Sequence, residues 1–250
     1  MAPKSGARLG ARQYSRAVTD LVLLATGRDA DVFALDARRV LRRYRDGGDV
    51  AAEAAMMAHV GGLGFPVPHV YSAEGGDLVL ERLTGPTMLH ALGTGEITAS
   101  AAAELTAGLL ARLHALPPRI PGRSDEHPVH LDLHPANIML EARGPVVIDW
   151  RNSRAGPPEF DVAVSALILA QVAVDPAGPE AALAVAFLTA FLAAVGAVPA
   201  DALDDAVRFR RADPNLTDHE TDLLGEAVAL LGRCREHGRG GPARPSSARR

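Results

Sequence analysis

Asp132, Asn137 and Asp149 are the residues of this chain whose types and spacing best suit chemistry. Asp132 and Asn137 share the run His130-Leu131-Asp132-Leu133-His134-Pro135-Ala136-Asn137, and Asp149 follows in Val146-Val147-Ile148-Asp149-Trp150. They amount to a proton acceptor, a neutral oxygen ligand and an anionic oxygen ligand. Such a set suits Mg²⁺ and, with it, chemistry on phosphate. What lies between them must do the positioning. Residues 138–140 and 146–148 are short apolar runs of the kind that form buried strands. Gly144-Pro145 marks the turn between them. A hairpin with Asn137 at the start of one strand and Asp149 at the end of the other would let both side chains meet at one cation. Asp132 lies on the loop that enters it.

A second reading takes His130, Asp132 and His134 as the ligands of a metal-dependent hydrolase. Alternating residues of a strand point one way, and His, Asp and His suit Zn²⁺ or iron. That reading leaves Pro135, Asn137 and the Ile148-Asp149-Trp150 hairpin unexplained, and no second His-rich cluster completes the site.

The composite pattern resembles the aminoglycoside phosphotransferase and choline-kinase-like family, relatives of the protein kinases. Its motif reads roughly His-Gly-Asp-x-x-x-x-Asn, a strand, a turn, a second strand and Ile-Asp-Trp/Phe. Leu131 stands where the family has Gly; Asp132, His134, Pro135, Asn137, Asp149 and Trp150 fit. The resemblance extends over about residues 18–236. It implies a mixed α/β (α+β), two-lobed, protein-kinase-like fold, with a small antiparallel-sheet N-lobe and a larger helical C-lobe. It also implies transfer of the γ-phosphate of ATP or GTP to a hydroxyl of a small molecule, with Mg²⁺.

The family's parts then fall on particular residues. Asp132 is the catalytic residue, as base or as the group that orients the acceptor hydroxyl. Asn137 and Asp149 are the metal ligands. The lysine usual on the third strand is missing, because Lys4 is the only lysine in the chain. Arg42 has its place, and its planar fork of donors suits phosphate; position alone also allows a solvated surface charge. Glu53 would orient Arg42. The turn holding Gly27 would cover the nucleotide phosphates through backbone N–H groups. The backbone of Glu81 to Leu83 would face the purine. His130 and His134 would pack and brace the loop, and Asp161 would cap it. A nucleotide-binding pseudokinase without transfer is an alternative that Arg42 and the single-glycine turn keep open.

The surrounding elements read as two blocks. Residues 21–25, 31–35 and 39–44 have the character of strands, followed by a helix capped by Asp49 and running to residue 60. Strands at 69–73 and 77–83 follow, with Gly75-Gly76 as their turn. Beyond Gly85-Pro86 the pattern turns helical over 98–116, 160–174, 180–198, 200–211 and 221–236. The expected layout is a flexible arm at 1–17, an N-lobe at 18–84, a C-lobe at 85–236 and a disordered tail at 237–250.

Composition narrows the class. At 250 residues the chain can bury a sizeable core. A net charge of −4 gives no reason to expect nucleic acid as a partner. Cys234 is the only cysteine, so no intrachain disulfide forms and a reducing compartment suits the chain. The first residues lack the apolar core of a signal peptide, and a cytoplasmic location is expected. Residues 181–200 carry no charge, yet their alanine content favours a buried helix over a membrane span. The acceptor is not specified. Asp201, Asp204, Asp205, Asp213, Asp218, Glu220 and Asp222 make the C-terminal region acidic, which would favour a cationic acceptor unless they are solvated faces. Aromatics at 4% are too few for a choline-type cage.

Overall fold

A computed structural model describes residues 21–119 and 126–239. The expected arm at 1–17 and tail residues 240–250 lie outside the described residues. Five antiparallel strands open the chain: β1 (Val22–Thr26), β2 (Ala30–Ala34), β3 (Arg39–Tyr44), β4 (Val70–Glu74) and β5 (Asp77–Glu81), in the order β1-β2-β3-β5-β4. Period-two alternation along β3 sends Val40 and Tyr44 into the core, with Arg42 between them on the same face. The turn between β4 and β5 has Gly75 at φ 57°, a conformation glycine adopts without steric cost.

Helix α1 (Ala51–Gly62) crosses this sheet and buries Glu53, Met56, Met57 and Val60. Its cap differs from expectation. Val50 holds the N-cap position, while Asp49 Oδ1 accepts the Ala51 N–H at 2.8 Å from one residue further out.

The helical lobe begins with α2 (Met88–Thr94) and α3 (Ala99–His114), capped by the hydroxyls of Thr87 and Thr98. A strand, β6 (His127–Val129), leads into the loop at 130–134 and a 3₁₀ turn (Pro135–Asn137). The hairpin β7 (Ile138–Glu141) and β8 (Gly144–Val147) follows, and β9 (Arg154–Gly156) returns to pair with β6. Then come α4 (Pro158–Val174), α5 (Ala181–Val195), α6 (Ala200–Arg211) and α7 (Asp218–Arg239). Helix α4 is buried along most of its length, and α5, α6 and α7 pack around it. Helix α7 runs to Arg239, so the first three residues of the expected disordered tail are helical. Residues 181–195 form a helix packed on α3 and α4, and among the described residues no helix is long and apolar enough to cross a membrane.

The lobes meet at Gly85 and the hairpin. Leu140 N–H bonds Pro86 O at 2.8 Å, and the Glu141 carboxylate accepts from Thr84 N–H (2.6 Å) and Gly85 N–H (2.7 Å). A Cβ on Gly85 would stand 2.0 Å from Leu140 O, so only glycine allows this approach. From the other lobe, Phe65 sets its ring edge-on to Trp150 at 5.7 Å, and Val147 N–H bonds Pro66 O at 2.9 Å. The hairpin is therefore held in place by both lobes.

Candidate active site

The hairpin places its two candidate ligands as the sequence pattern requires. Asn137 closes the 3₁₀ turn just before β7, and Asp149 lies just beyond β8. Ile148 N–H bonds Asn137 O at 3.0 Å, which ties the two ends together. Both bends are tight. Leu131 has φ 62° and Asp149 φ 63°, the left-handed region that costs a non-glycine residue about 1–2 kcal/mol. Leu131 is the position where the sequence has leucine for glycine. Its side chain is buried, so core packing offsets the backbone cost.

Beneath the loop lies Asp161 of α4, fully buried. Its carboxylate accepts His130 N–H (2.9 Å) and Leu131 N–H (2.7 Å), and His114 Nε2 lies 2.9 Å away. Asp161 thus fixes the strained turn, in line with the expected cap. His130 is buried against Trp150, with Nε2 3.1 Å from Ile148 O, and burial holds its pKa below the usual imidazole range. His134 is pushed down to about 4, mainly by burial. Asn137 Nδ2 donates to Asp132 O (2.9 Å) and lies 3.2 Å from both Asp132 Oδ2 and His134 Nε2. That leaves the Asn137 carbonyl oxygen outside these bonds.

This geometry corrects the hydrolase alternative. Residues 130–134 are a loop rather than a strand, and His130 faces the core instead of joining Asp132 and His134. Among the described residues, no three His, Cys, Asp or Glu side chains converge on a metal position. Two carboxylates and an amide remain as hard oxygen donors.

Arg42 links the lobes at the floor of the site. Nη1 meets Glu53 Oε1 at 3.0 Å, and Nη2 meets Asp149 Oδ1 at 2.5 Å. Tyr44 OH donates to the second Glu53 oxygen at 2.7 Å. Arg42 is nearly buried, which excludes the reading as a solvated surface charge. Burial pushes the Glu53 pKa up in spite of Arg42. Burial would raise Asp149 too, but the Arg42 charge and hydrogen bond outweigh it and hold Asp149 below the usual carboxylate range. Asp132 has no such partner. Burial, and then the Asp149 charge, push it up to about 7.

These residues line one cleft of about 1040 Å³, shared with Gly27, Glu81 and Leu83. Gly27 N–H is engaged inside its own turn, on Ala30 O at 2.9 Å. The N–H groups of Glu81 and Arg82 bond His69 O and Arg38 O. Leu83 is the hinge residue whose backbone carries no hydrogen bond among the described residues. Two cleft residues, Arg28 and Arg210, were given no role by the sequence reading, and neither was Tyr44, which stands behind the cleft on Glu53. Tyr44 was legible as the same-face neighbour of Arg42 on β3. Arg28 was legible as the neighbour of Gly27 in the turn expected over the phosphates; Arg210 was not, because only the packing of α6 brings it to the cleft.

A sheet lobe and a helical lobe, with an acidic loop and hairpin at their junction, define a protein-kinase-like phosphotransferase. The chain belongs to the phosphotransferase enzyme family, whose model matches residues 20–129 and 101–200. Its activity is phosphoryl transfer to a hydroxyl of a small molecule. No curated protein matches the chain by sequence. Among solved structures, the ADP-bound aminoglycoside phosphotransferase APH(2'')-Ib is similar at 16% identity and TM-score 0.53, covering 92% of this chain and 99% of that one. A choline/ethanolamine kinase family protein from Mesorhizobium loti is similar at 17% identity and TM-score 0.54, covering 92% and 95%. The amicoumacin kinase hAmiN, in complex with AMP-PNP, Ca²⁺ and Ami, is similar at 12% identity and TM-score 0.50, covering 91% and 92%.

Proposed function

We propose that the protein is a Mg²⁺-dependent kinase that moves the γ-phosphate of ATP or GTP to a small-molecule hydroxyl in the cytoplasm. The observation that carries this is the convergence of Asp132, Asn137, Asp149 and the Arg42–Glu53 pair on one cleft. The donors fit the ion: the Asn137 side-chain oxygen Oδ1, which makes no hydrogen bond among the described residues, and an Asp149 carboxylate held below the usual carboxylate range beside Arg42. Asn137 and Asp149 would hold Mg²⁺ there, and the ion would supply charge neutralisation for the phosphoryl group in transfer.

The chain's own groups do the rest. Asp132, with a pKa near neutrality, takes the acceptor hydroxyl's proton or orients that hydroxyl for attack. Glu53 and Tyr44 hold the Arg42 fork, which grips phosphate oxygens from the sheet side. The turn around Gly27 covers the phosphates, and the hinge backbone at Leu83 faces the purine, with Glu81 bracing the hinge through Arg143. The pseudokinase alternative rests on Arg42 and the single-glycine turn, and the intact set of Asp132, Asn137 and Asp149 opposes it.

A thermal-shift titration with ATP and GTP, with and without Mg²⁺, tests the reading. A ligand that binds the native state raises its Tm by mass action. A Mg²⁺-dependent rise is expected. No rise with either nucleotide at millimolar concentration would overturn the proposal. Binding without turnover of any acceptor or of water would favour the pseudokinase.

A further inference from the structure

Arg210 stands at the end of α6, 9% exposed, on the wall of the cleft that also holds Asp132. Its Nε donates to Gln171 Oε1 at 3.2 Å. Gln171 is itself held by Glu220 O at 2.8 Å, so the guanidinium is anchored at one edge only. Among the described residues, neither Nη atom makes a hydrogen bond. The nearest carboxylate, Asp213, is 3.5 Å from Nη1. A buried cation is costly unless well paired, and this one lines the cleft.

Resting on the phosphotransferase reading above, we propose that the acceptor carries a carboxylate on an apolar body, and that Arg210 receives that carboxylate. The apolar half of the site is present: Leu169, Leu183, Phe187 and Phe209 line the same region. Of the acidic residues that favoured a cationic acceptor in the sequence, Asp201, Asp204, Asp205, Asp218 and Asp222 are not part of the cleft. Asp213 lines it, but its carboxylate is a long ion pair to Arg210 Nη1, 3.5 Å, without a hydrogen bond to it. Glu220 lines it too, but Arg28 holds the Glu220 carboxylate at 2.8 Å. Glu180 is at the exposed rim. A carboxylate offers two oxygens to two Nη groups, the planar match that arginine makes best. Burial depresses the Arg210 pKa despite Asp132, Asp213 and Glu220 nearby.

Arg210 also faces Asp132 across the cleft, so it has a rival role as counter-ion to the base. The two roles separate kinetically. A counter-ion changes kcat for every acceptor alike; a carboxylate receptor changes KM for carboxylate acceptors.

The test uses ω-hydroxyalkanoates of increasing chain length, the matching amino alcohols and diols, and an aminoglycoside. Turnover is followed as nucleoside diphosphate release, with ³¹P NMR of the product. Mg²⁺-nucleotide binding is measured in parallel. The wild type should phosphorylate a hydroxyalkanoate at least about tenfold better in kcat/KM than its amine or diol counterpart, the effect of one lost charge-assisted contact. Arg210→Met should erase that preference through KM, and Arg210→Lys should restore part of it. Preference for amines or the aminoglycoside, or no hydroxyalkanoate turnover while nucleotide binds normally, would overturn the proposal. An equal kcat loss for all acceptors in Arg210→Met would assign the counter-ion role instead. Loss of nucleotide binding itself would strike the phosphotransferase reading, which is a different failure.

Discussion

Asp132 carries a conflict between stability and chemistry. A carboxyl group with its pKa raised from 3.8 to about 7 binds its proton more tightly folded than unfolded. Its favourable contribution is therefore complete below about pH 4 and is lost as pH rises toward 7. Asp132→Asn removes the titration and keeps the shape. Without metal or nucleotide, its Tm should exceed the wild type at pH 8, with the advantage fading toward pH 4. At about 1.4 kcal/mol per pKa unit the gain is roughly 2–4 kcal/mol, or about 5 °C or more. Transfer should meanwhile be abolished. A Tm difference that does not change with pH would show that Asp132 titrates normally. Arg42 presents the opposite case. Arg42→Ala leaves Glu53 buried without its cation, so stability should fall by about 3 kcal/mol and turnover should fall with it. Arg42→Lys should recover part of both, because an ammonium reaches one carboxylate better than two. The positions of Asn137 and Asp149 at the hairpin's two ends were legible because a hairpin needs only local apolar runs and a turn to place its ends. The strain at Leu131 was half legible. The motif flagged the position as a glycine site, but the buried side chain that compensates depends on tertiary packing.

At the scale of elements, local signals carried most of the sheet and most of the long helices. The strands β1, β2 and β3 and the helix α6 lie within a residue of where alternation and periodicity put them. Two kinds of element were missed. Helix α2 is only seven residues long and sits between a Gly-Pro linker and a second helix start, too short for periodicity to register. Strands β6 and β9 are three residues each, and they exist because their partner lies across the loop and hairpin. Contacts so distant in sequence leave no mark in a local window. Glycine read as a lobe boundary at Gly85 has a sharper reason in the structure, the Leu140 carbonyl against which no Cβ fits. Gly85→Ala must displace β7 from the linker and disturb the bonds from Thr84 and Gly85 to Glu141. Stability should fall by about 2 kcal/mol or more, the scale of backbone overpacking. Because Asn137 stands just before β7, metal-dependent nucleotide affinity should fall too. A thermal melt together with a nucleotide titration checks both. A Tm within about 1 °C of wild type would mean that the linker moves aside freely.

The molecule as a whole closes its cleft with exposed ion pairs whose value is kinetic. Arg28, in the turn over the nucleotide site, reaches Glu220 Oε1 (2.8 Å) and Asn215 O (3.2 Å) of the helical lobe. Arg151 returns the link, meeting Asp46 at 2.5 Å and Asp29 at 3.5 Å on the sheet lobe. Arg28 is half exposed, and such pairs contribute about 0–1 kcal/mol to folding. The lobes are held together instead by the buried contacts of Phe65, Trp150, Gly85 and the hairpin. Breaking the Arg28–Glu220 pair should therefore leave Tm within about 2 °C of wild type. What it should change is how long the mouth stays shut. If the turn covers bound nucleotide, as proposed above, release requires it to lift, and both Arg28→Ala and Glu220→Ala should raise the nucleotide off-rate by about threefold or more, the kinetic equivalent of roughly 0.7 kcal/mol. The pair of variants carries the argument. Glu220→Ala removes the clasp but keeps the Arg28 charge over the phosphates. A faster off-rate in Arg28→Ala alone would mean that Arg28 touches the nucleotide and clasps nothing. Half-molar salt should speed release from the wild type by screening the pair. It should do so less in Glu220→Ala, where that pair is already gone, and stopped-flow release of a fluorescent nucleotide reads all of these rates in one instrument.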